Sequence, residues 1–154
     1  MAKFDFDVSQ ADENIYARLS AAHDVANNPE FDAVLERAAG RLAGLLREKL
    51  ERLGLRKSGQ LIDSVRPTKV KVAKGQKHID VYPQGYRDKE GGRRNAHRNA
   101  MVGYAHEYGV MRGPPLKPTA ARHWMGGTVD EAYDEVSKIM RDGLDEILKN
   151  NLGG

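Results

Sequence analysis

Residues 29–53 read PEFDAVLERAAGRLAGLLREKLERL and decide the fold, because this stretch predicts one long amphipathic helix. Proline stands in the first turn, where no backbone donor is needed, and Gly54 follows the end of the helix. Apolar residues recur every three or four positions and predict one buried stripe: Phe31, Val34, Leu35, Ala38, Leu42, Leu45, Leu46, Leu50 and Leu53. Gly40 and Gly44 either mark the close approach of another backbone or are ordinary tolerated glycines.

Further helices are predicted on both sides of this stretch. Residues 9–27 begin with Ser9 as N-cap and carry an apolar stripe: Ile15, Leu19, Ala22 and Ala26. Residues 128–150 begin with a capping box of Thr128 and Glu131 and carry a longer stripe: Val129, Ala132, Tyr133, Val136, Ile139, Met140, Leu144, Ile147 and Leu148. Residues 58–65 predict a short helix, and residues 97–108 fit a helix better than a strand.

Between the helices, the pattern changes to that of strands and loops. Residues 68–72 and 78–82 alternate polar and apolar side chains, and residues 74–77 predict the turn of an antiparallel hairpin with one buried face. Residues 84–96 predict a basic exposed loop, and the three prolines in residues 113–118 predict a stiff extended segment. The order of elements predicts an α+β fold in which a small antiparallel β-sheet packs against long N-terminal and C-terminal amphipathic helices.

Length and composition restrict the class of protein. The 154 residues suit a single domain, 1–154, with residues 1–8 as an extended arm. Apolar runs are too short for a membrane span, and the acidic N-terminus lacks the pattern of a secretory signal, which predicts a cytoplasmic protein without membrane contact. Because there is no cysteine, disulfides and thiolate sites are excluded.

Charge is distributed unevenly along the chain. The net charge of +3 combines a basic middle, +8 over residues 56–98, with an acidic C-terminal part, −4 over residues 128–154. Opposite potentials on one chain favour an acidic partner, a nucleic acid or a neighbouring copy of the same protein. A solvated lysine-rich face explains the basic middle equally well.

Motifs for catalysis are missing from the sequence. The five histidines form no i, i+4 pair, and the serines at 58 and 64 stand in no nucleophile motif. The carboxylates that open the last predicted helix are explained by the helix dipole. We therefore expect a protein that is not an enzyme and has no metal and no cofactor.

The basic loop leaves two interpretations open. Tyr86 could stack on a base, and the cations of the loop could contact a phosphate backbone without recognising its sequence. These cations are Arg87, Lys89, Arg93, Arg94 and Arg98. A DNA-binding accessory protein that contacts phosphates through residues 86–98 is thus the alternative function. The same cations could instead contact an acidic neighbouring subunit.

Three segments resemble one protein family. Residues 57–65, KSGQLIDSV, resemble its T/S-G-x-L-x-x-S-I/V segment. Residues 102–109, VGYAHEYG, resemble its Y-A-x-x-V-E-F/Y-G-T signature, and residues 114–121, PPLKPTAA, resemble P-x-R-P-F-L-R-P-A. In this order, with a hairpin between the first two, they are similar to the tail-completion, or head-to-tail joining, proteins of long-tailed bacteriophages, which include minor tail protein Z-like chains. The resemblance covers roughly residues 30–150.

This resemblance implies a structural virion protein rather than an enzyme. It implies a homo-oligomeric ring, commonly sixfold, in the virion tail or neck, assembled in the host cytoplasm between connector or head-completion proteins and the tail terminator or tail tube. Non-specific contact with packaged DNA is compatible with that place. We predict that Trp124 lies in the core. Subunit interfaces are predicted to use aromatic residues, a carboxylate and rigid prolines: Phe4, Phe6, Tyr104, Glu107, Tyr108, Pro114, Pro115 and Pro118.

Overall fold

The computed structural model describes residues 28–55, 59–73, 76–86, 98–112 and 115–152. The α+β prediction is confirmed, since long helices pack with short antiparallel strand pairs. The predicted helix 9–27 and the predicted arm 1–8 lie outside the described residues.

Helix α1, Pro29–Arg52, confirms the prediction from residues 29–53. Asn28 caps it, because its side-chain oxygen accepts a hydrogen bond from the Glu30 N–H at 3.0 Å. Among the described residues, a Cβ atom added at Gly40 or Gly44 would meet nothing within 4 Å, so no described backbone segment approaches either glycine closely. In the described part of the chain, this favours the interpretation of both residues as tolerated glycines.

The last helix, Trp124–Leu152, is the long C-terminal helix that the sequence predicts, but its start was predicted wrongly. Thr128 lies one turn inside the helix, and its hydroxyl donates to the carbonyl of Trp124 at 2.7 Å. Two of the carboxylates assigned to the helix dipole instead pair with α1: Glu131 with Lys49 at 3.0 Å and Glu135 with Arg41 at 2.6 Å.

Helix α1 and the last helix pack antiparallel. Val34, near the start of α1, faces Gly143 near the end of the other helix, where an added Cβ would come within 2.7 Å of both Val34 methyl carbons. Val34 and Ile147 form one buried cluster there. Near the C-terminal end of α1, the main core joins this helix to later parts of the chain. Its buried residues are Ala43, Leu46, Leu50, Leu61, Ile62, Val65 and Trp124.

A short helix and an interrupted hairpin follow α1. Helix α2, Gln60–Ser64, runs directly into β1, Val65–Pro67, which pairs antiparallel with β4, Val81–Pro83. Farther out, β2, Lys71–Ala73, pairs with β3, Gln76–His78, and the register places two residues, 69 and 70, opposite residue 79 as a β-bulge. The hairpin is confirmed, although its strands are shorter and differently placed than predicted.

The predicted buried face of this hairpin does not extend to its outer part. All three residues of β2 are exposed, and Val72 has 69% of its surface accessible. The outer hairpin is held instead by Lys77, which pairs with Asp32 at 2.8 Å and donates to the carbonyl of Asn28 at 3.2 Å. The inner strands are held by Arg47, whose Nε donates to the Val65 carbonyl at 2.8 Å.

Helix α3, Asn99–Tyr108, confirms the preference for a helix over a strand in residues 97–108. The proline segment that follows differs from the prediction. Strand β5, Met111–Arg112, pairs antiparallel with β6, Lys117–Pro118, so the chain reverses between them rather than running extended. The Trp124–Leu152 helix is α4.

Candidate interaction surface

Helix α3 has an inner face that packs against the core and an outer face that is exposed. Gly103 and Glu107, four residues apart, lie on the inner face. Met101, Tyr104 and Tyr108 lie on the outer face and each have at least 60% of their surface accessible. The inner face fixes the position of the helix, and the outer face is available for contact.

Trp124 binds the middle of α3 from inside the core, as predicted. Its indole Nε1 donates to the Gly103 carbonyl at 3.0 Å, and its side chain is fully buried. A Cβ at Gly103 would lie 3.0 Å from Cγ of Pro83 and 3.2 Å from Cζ2 of Trp124. A larger residue would therefore push α3 away from the hairpin and from α4.

Glu107 caps the start of α4 from another helix. Its carboxylate oxygens accept hydrogen bonds from the backbone N–H of Met125 at 2.6 Å and of Gly126 at 3.0 Å. These are donors of the first turn of α4, which have no partner inside their own helix. Glu107 is only 6% exposed, so its prediction as an interface residue is wrong: its carboxylate is used within the subunit.

Backbone hydrogen bonds join the same two helix ends in the other direction. The N–H groups of Arg122 and His123 donate to the carbonyls of His106 and Glu107 at 2.8 and 3.2 Å. The end of α3 and the start of α4 thus supply each other's missing partners. We call this pair of exchanges, together with the Trp124 bond, the α3–α4 junction.

Gly109 makes the sharp exit from this junction. Its φ of 74° and ψ of 162° belong to a region that is essentially restricted to glycine. An added Cβ would come within 2.3 Å of the Thr119 carbonyl oxygen. The tight turn brings Val110 beside Thr119, whose backbone N–H donates to the Val110 carbonyl at 2.8 Å.

The exposed apolar residues on the outer face of α3 form a surface that we call the α3 patch, defined as Met101, Tyr104 and Tyr108. The rings of Tyr104 and Tyr108 lie 4.7 Å apart between centroids and are tilted by 47°. Met111, which begins β5 after the turn at Gly109, is also exposed, with 56% of its surface accessible. The structure therefore leaves Tyr104 and Tyr108 on the surface, where an interface role needs them.

The remaining interface candidates are only partly described. Pro115 and Pro118 are exposed beside the β5–β6 reversal, and Leu116 between them is 68% exposed. Phe4, Phe6 and Pro114 lie outside the described residues. The sequence analysis did not single out Leu116 or Met111, because apolar residues in short irregular segments have no periodicity that tells buried from exposed.

The base of the basic loop is well defined. Tyr86 and Arg98 form an isolated antiparallel bridge, and the Arg98 guanidinium lies 5.8 Å from the centre of the Tyr86 ring. The Asn99 side chain donates to the Gln84 carbonyl at 2.9 Å. Arg98 is exposed, whereas Arg87, Lys89, Arg93 and Arg94 lie outside the described residues.

Arg41 of α1 and Glu135 of α4 form an ion pair with a distance of 2.6 Å. The hydrogen bond from Arg41 lowers the pKa of Glu135, and the same bond to Glu135 raises the pKa of Arg41. Exposed carboxylates make the outer surface of α4 acidic: Asp130, Asp134, Asp142, Asp145 and Glu146.

Among the residues that the structure describes, no group of three histidine, aspartate or glutamate side chains is arranged to hold a metal ion. Within the same residues, no helix has the length and apolar character needed to cross a membrane. Comparisons with family models, with curated protein sequences and with solved structures find no match to this chain.

Proposed function

We propose that the protein is a structural virion component that completes a phage tail or joins the tail to the head by assembling as a ring, with six subunits as the expected number. The observation that carries this proposal is the α3 patch. An exposed aromatic pair on a helix whose other face is fixed in the core is typical of an interface anchor, since little entropy is lost when a partner binds it.

The positions of the three family-like segments support the proposal. Leu61 from the first segment lies 3.7 Å from the site of a Cβ on Gly103 in the second, and Gly109 contacts Thr119 in the third. The segments that carry the resemblance therefore meet around the α3–α4 junction. Residues that are distant in sequence share one structural role, which is to hold the α3 patch and the β5–β6 reversal.

Charge also suits contact between unlike surfaces of neighbouring copies. A closed ring needs two different complementary surfaces on each subunit. The outer surface of α4 is acidic, while Arg98 at the base of the basic loop offers positive charge at another site. We expect the α3 patch to supply apolar contact and these charges to set the orientation of the neighbour.

The test is self-association of the purified full chain, measured by light scattering over a concentration series. We expect a discrete ring mass for the wild type and a monomer for the double variant Tyr104→Asp/Tyr108→Asp, because two buried charges would replace two aromatic contacts. Val72→Asp is the matched control, since Val72 is 69% exposed on the outer hairpin. A wild type that stays monomeric throughout, or a double variant that assembles normally, would contradict the proposal.

A further inference from the structure

Large apolar side chains are exposed on two of the described helices, α3 and α4. On α4, Val129 is 41% exposed and Tyr133 is 69% exposed. Both residues line an apolar groove of about 670 Å³, which we call the α1–α4 groove. It is lined mainly by apolar residues: Leu42, Val129, Ala132, Tyr133, Val136 and Met140. The α3 patch and this groove share no residue, so each subunit has two separate apolar surfaces on its helices.

We propose that, in the ring, the α3 patch of each subunit docks into the α1–α4 groove of the next copy. This inference rests on the proposed function and names the surface that the patch contacts. A ring of more than two subunits joins two different surfaces of neighbouring copies, whereas a patch that contacted the same patch of another copy would close a two-fold dimer. The patch therefore needs an apolar complement elsewhere on the subunit, and the groove offers one on a second helix.

The groove is acidic at the end nearer the start of α4. Residues 129–137 contain four carboxylates and no lysine or arginine. Two of these carboxylates pair with α1, whereas Asp130 and Asp134 are exposed. Arg141 lines the other end of the groove. A partner that inserts apolar side chains into the acidic end is therefore favoured if it also brings positive charge.

The α3 patch lies beside the matching charge. Arg98 is exposed and directly precedes the first residue of α3. The one carboxylate in residues 98–112 belongs to Glu107, which is buried and caps α4 within its own subunit. This segment therefore presents a cation and no exposed carboxylate, so that its charge attracts it to the acidic end of a neighbour's groove.

The spacing of the apolar residues also matches between the two surfaces. Tyr104 and Tyr108 are four residues apart, as are Val129 and Tyr133, which gives both pairs a separation of about 6 Å along their helices. Rows of side chains four residues apart form the ridges that fit into the grooves of a facing helix. The two rings of the patch lie 4.7 Å apart, so they can enter the groove together.

The first test mixes two variants that each lack one of the two surfaces. Tyr104→Asp/Tyr108→Asp, the patch variant, keeps the groove, and Val129→Asp/Tyr133→Asp, the groove variant, keeps the patch. We expect each variant alone to be monomeric by light scattering at concentrations where the wild type forms the ring. Their equimolar mixture should give a species of twice the monomer mass, because one intact patch meets one intact groove and the pair cannot grow. Val72→Asp, the control, should assemble as the wild type does.

The outcomes separate this inference from the proposed function. A groove variant that still forms the ring would overturn the inference and leave the ring standing, as would be found if another part of the same chain covered the groove. A groove variant that dimerises by itself would show that the patch contacts itself, which also overturns the inference. So does a mixture that contains no pair. A wild type that stays monomeric would contradict the proposed function and the inference together.

A second test leaves the large side chains of both surfaces in place. Because the chain has no cysteine, Ala105→Cys and Ser137→Cys each carry a single thiol. Ala105 is partly exposed next to the patch, and Ser137 lines the groove. A short bismaleimide should give a covalent dimer in the mixture of the two variants and none in either variant alone. Replacing Ser137→Cys with Val72→Cys should abolish the product. A dimer from Ala105→Cys alone, or equal yields with both partners, would overturn the inference.

Discussion

At the residue scale, Glu107 shows how the motif VGYAHEYG stabilises the fold, because its carboxylate caps α4 within the same subunit. A buried carboxylate that accepts two N–H groups at a helix start satisfies donors and interacts favourably with the helix dipole. Its neighbours Tyr104 and Tyr108 are exposed because they lie on the other face of the same helix. The motif VGYAHEYG therefore combines two roles, one internal and one on the surface.

Replacing Glu107 with glutamine tests the internal role. Glu107→Gln keeps the shape but removes the charge and turns one acceptor into a donor that faces a backbone N–H. We expect a loss of about 2 kcal/mol in the free energy of unfolding, measured by urea denaturation. Glu36→Gln, at an exposed position of α1, should change it by less than about 0.5 kcal/mol. Equal effects of the two substitutions would contradict the capping role.

Gly109 permits a second test at this scale, with Gly54 as its matched control. Both glycines have positive φ, 74° and 68°, but a Cβ at Gly54 would meet no atom of the described residues within 4 Å. Gly54→Ala should cost about 1 kcal/mol from backbone strain alone. Gly109→Ala adds the clash with the Thr119 carbonyl and should cost roughly 3 kcal/mol or more by thermal or urea unfolding. Similar losses in the free energy of unfolding for both variants would show that the contact between the new Cβ and the Thr119 carbonyl is relieved by a small shift of the backbone.

At the scale of elements, the sequence predicts helices well because long apolar stripes are decided by local periodicity. The stripe of α1 is buried or partly buried where the pattern places it, and α3 is a helix, as predicted. The stripe of α4 is only partly buried, because Val129 and Tyr133 are exposed. The start of α4 was missed because its cap, Glu107, comes from another helix. The strands were misplaced because a bulge shifts the register between the inner and outer strand pairs. In addition, the ion pair of Lys77 with Asp32, rather than an apolar face, holds the outer hairpin.

The pairing of α1 with α4 gives a prediction for pH. Arg41 lowers the pKa of Glu135, so the pair stabilises the fold above the ordinary glutamate pKa of about 4.3 and loses this effect as pH falls through the lowered value. Glu135→Gln should therefore be less stable than the wild type at pH 7, with a difference that disappears in acid. Urea denaturation at several pH values measures it. Glu146→Gln, at an exposed position of α4, is the control, and an equal pH profile would contradict the pairing.

At the scale of the whole molecule, two long helices and a core around Trp124 hold the α3 patch and the loop base in fixed positions. The motif predicts Tyr104 and Tyr108 as interface candidates, but not that their side chains are exposed, which depends on how α3 packs against the core. Exposure is a property of the assembled elements. It is therefore the part of a site that local patterns predict least.

The mass of the protein in solution, with and without short duplex DNA, separates the ring from the DNA-binding alternative. For an assembly component we expect, at concentrations where the wild type self-associates, a discrete ring whose mass DNA does not change. For phosphate contact through residues 86–98 we would expect a DNA-dependent increase in mass that disappears as salt rises, since binding releases counterions. Arg93→Glu/Arg94→Glu should then abolish that increase, while Tyr104→Asp/Tyr108→Asp should leave it intact. If instead Tyr104→Asp/Tyr108→Asp abolishes the DNA-dependent increase in mass and Arg93→Glu/Arg94→Glu leaves it intact, the contact with DNA is assigned to the α3 patch.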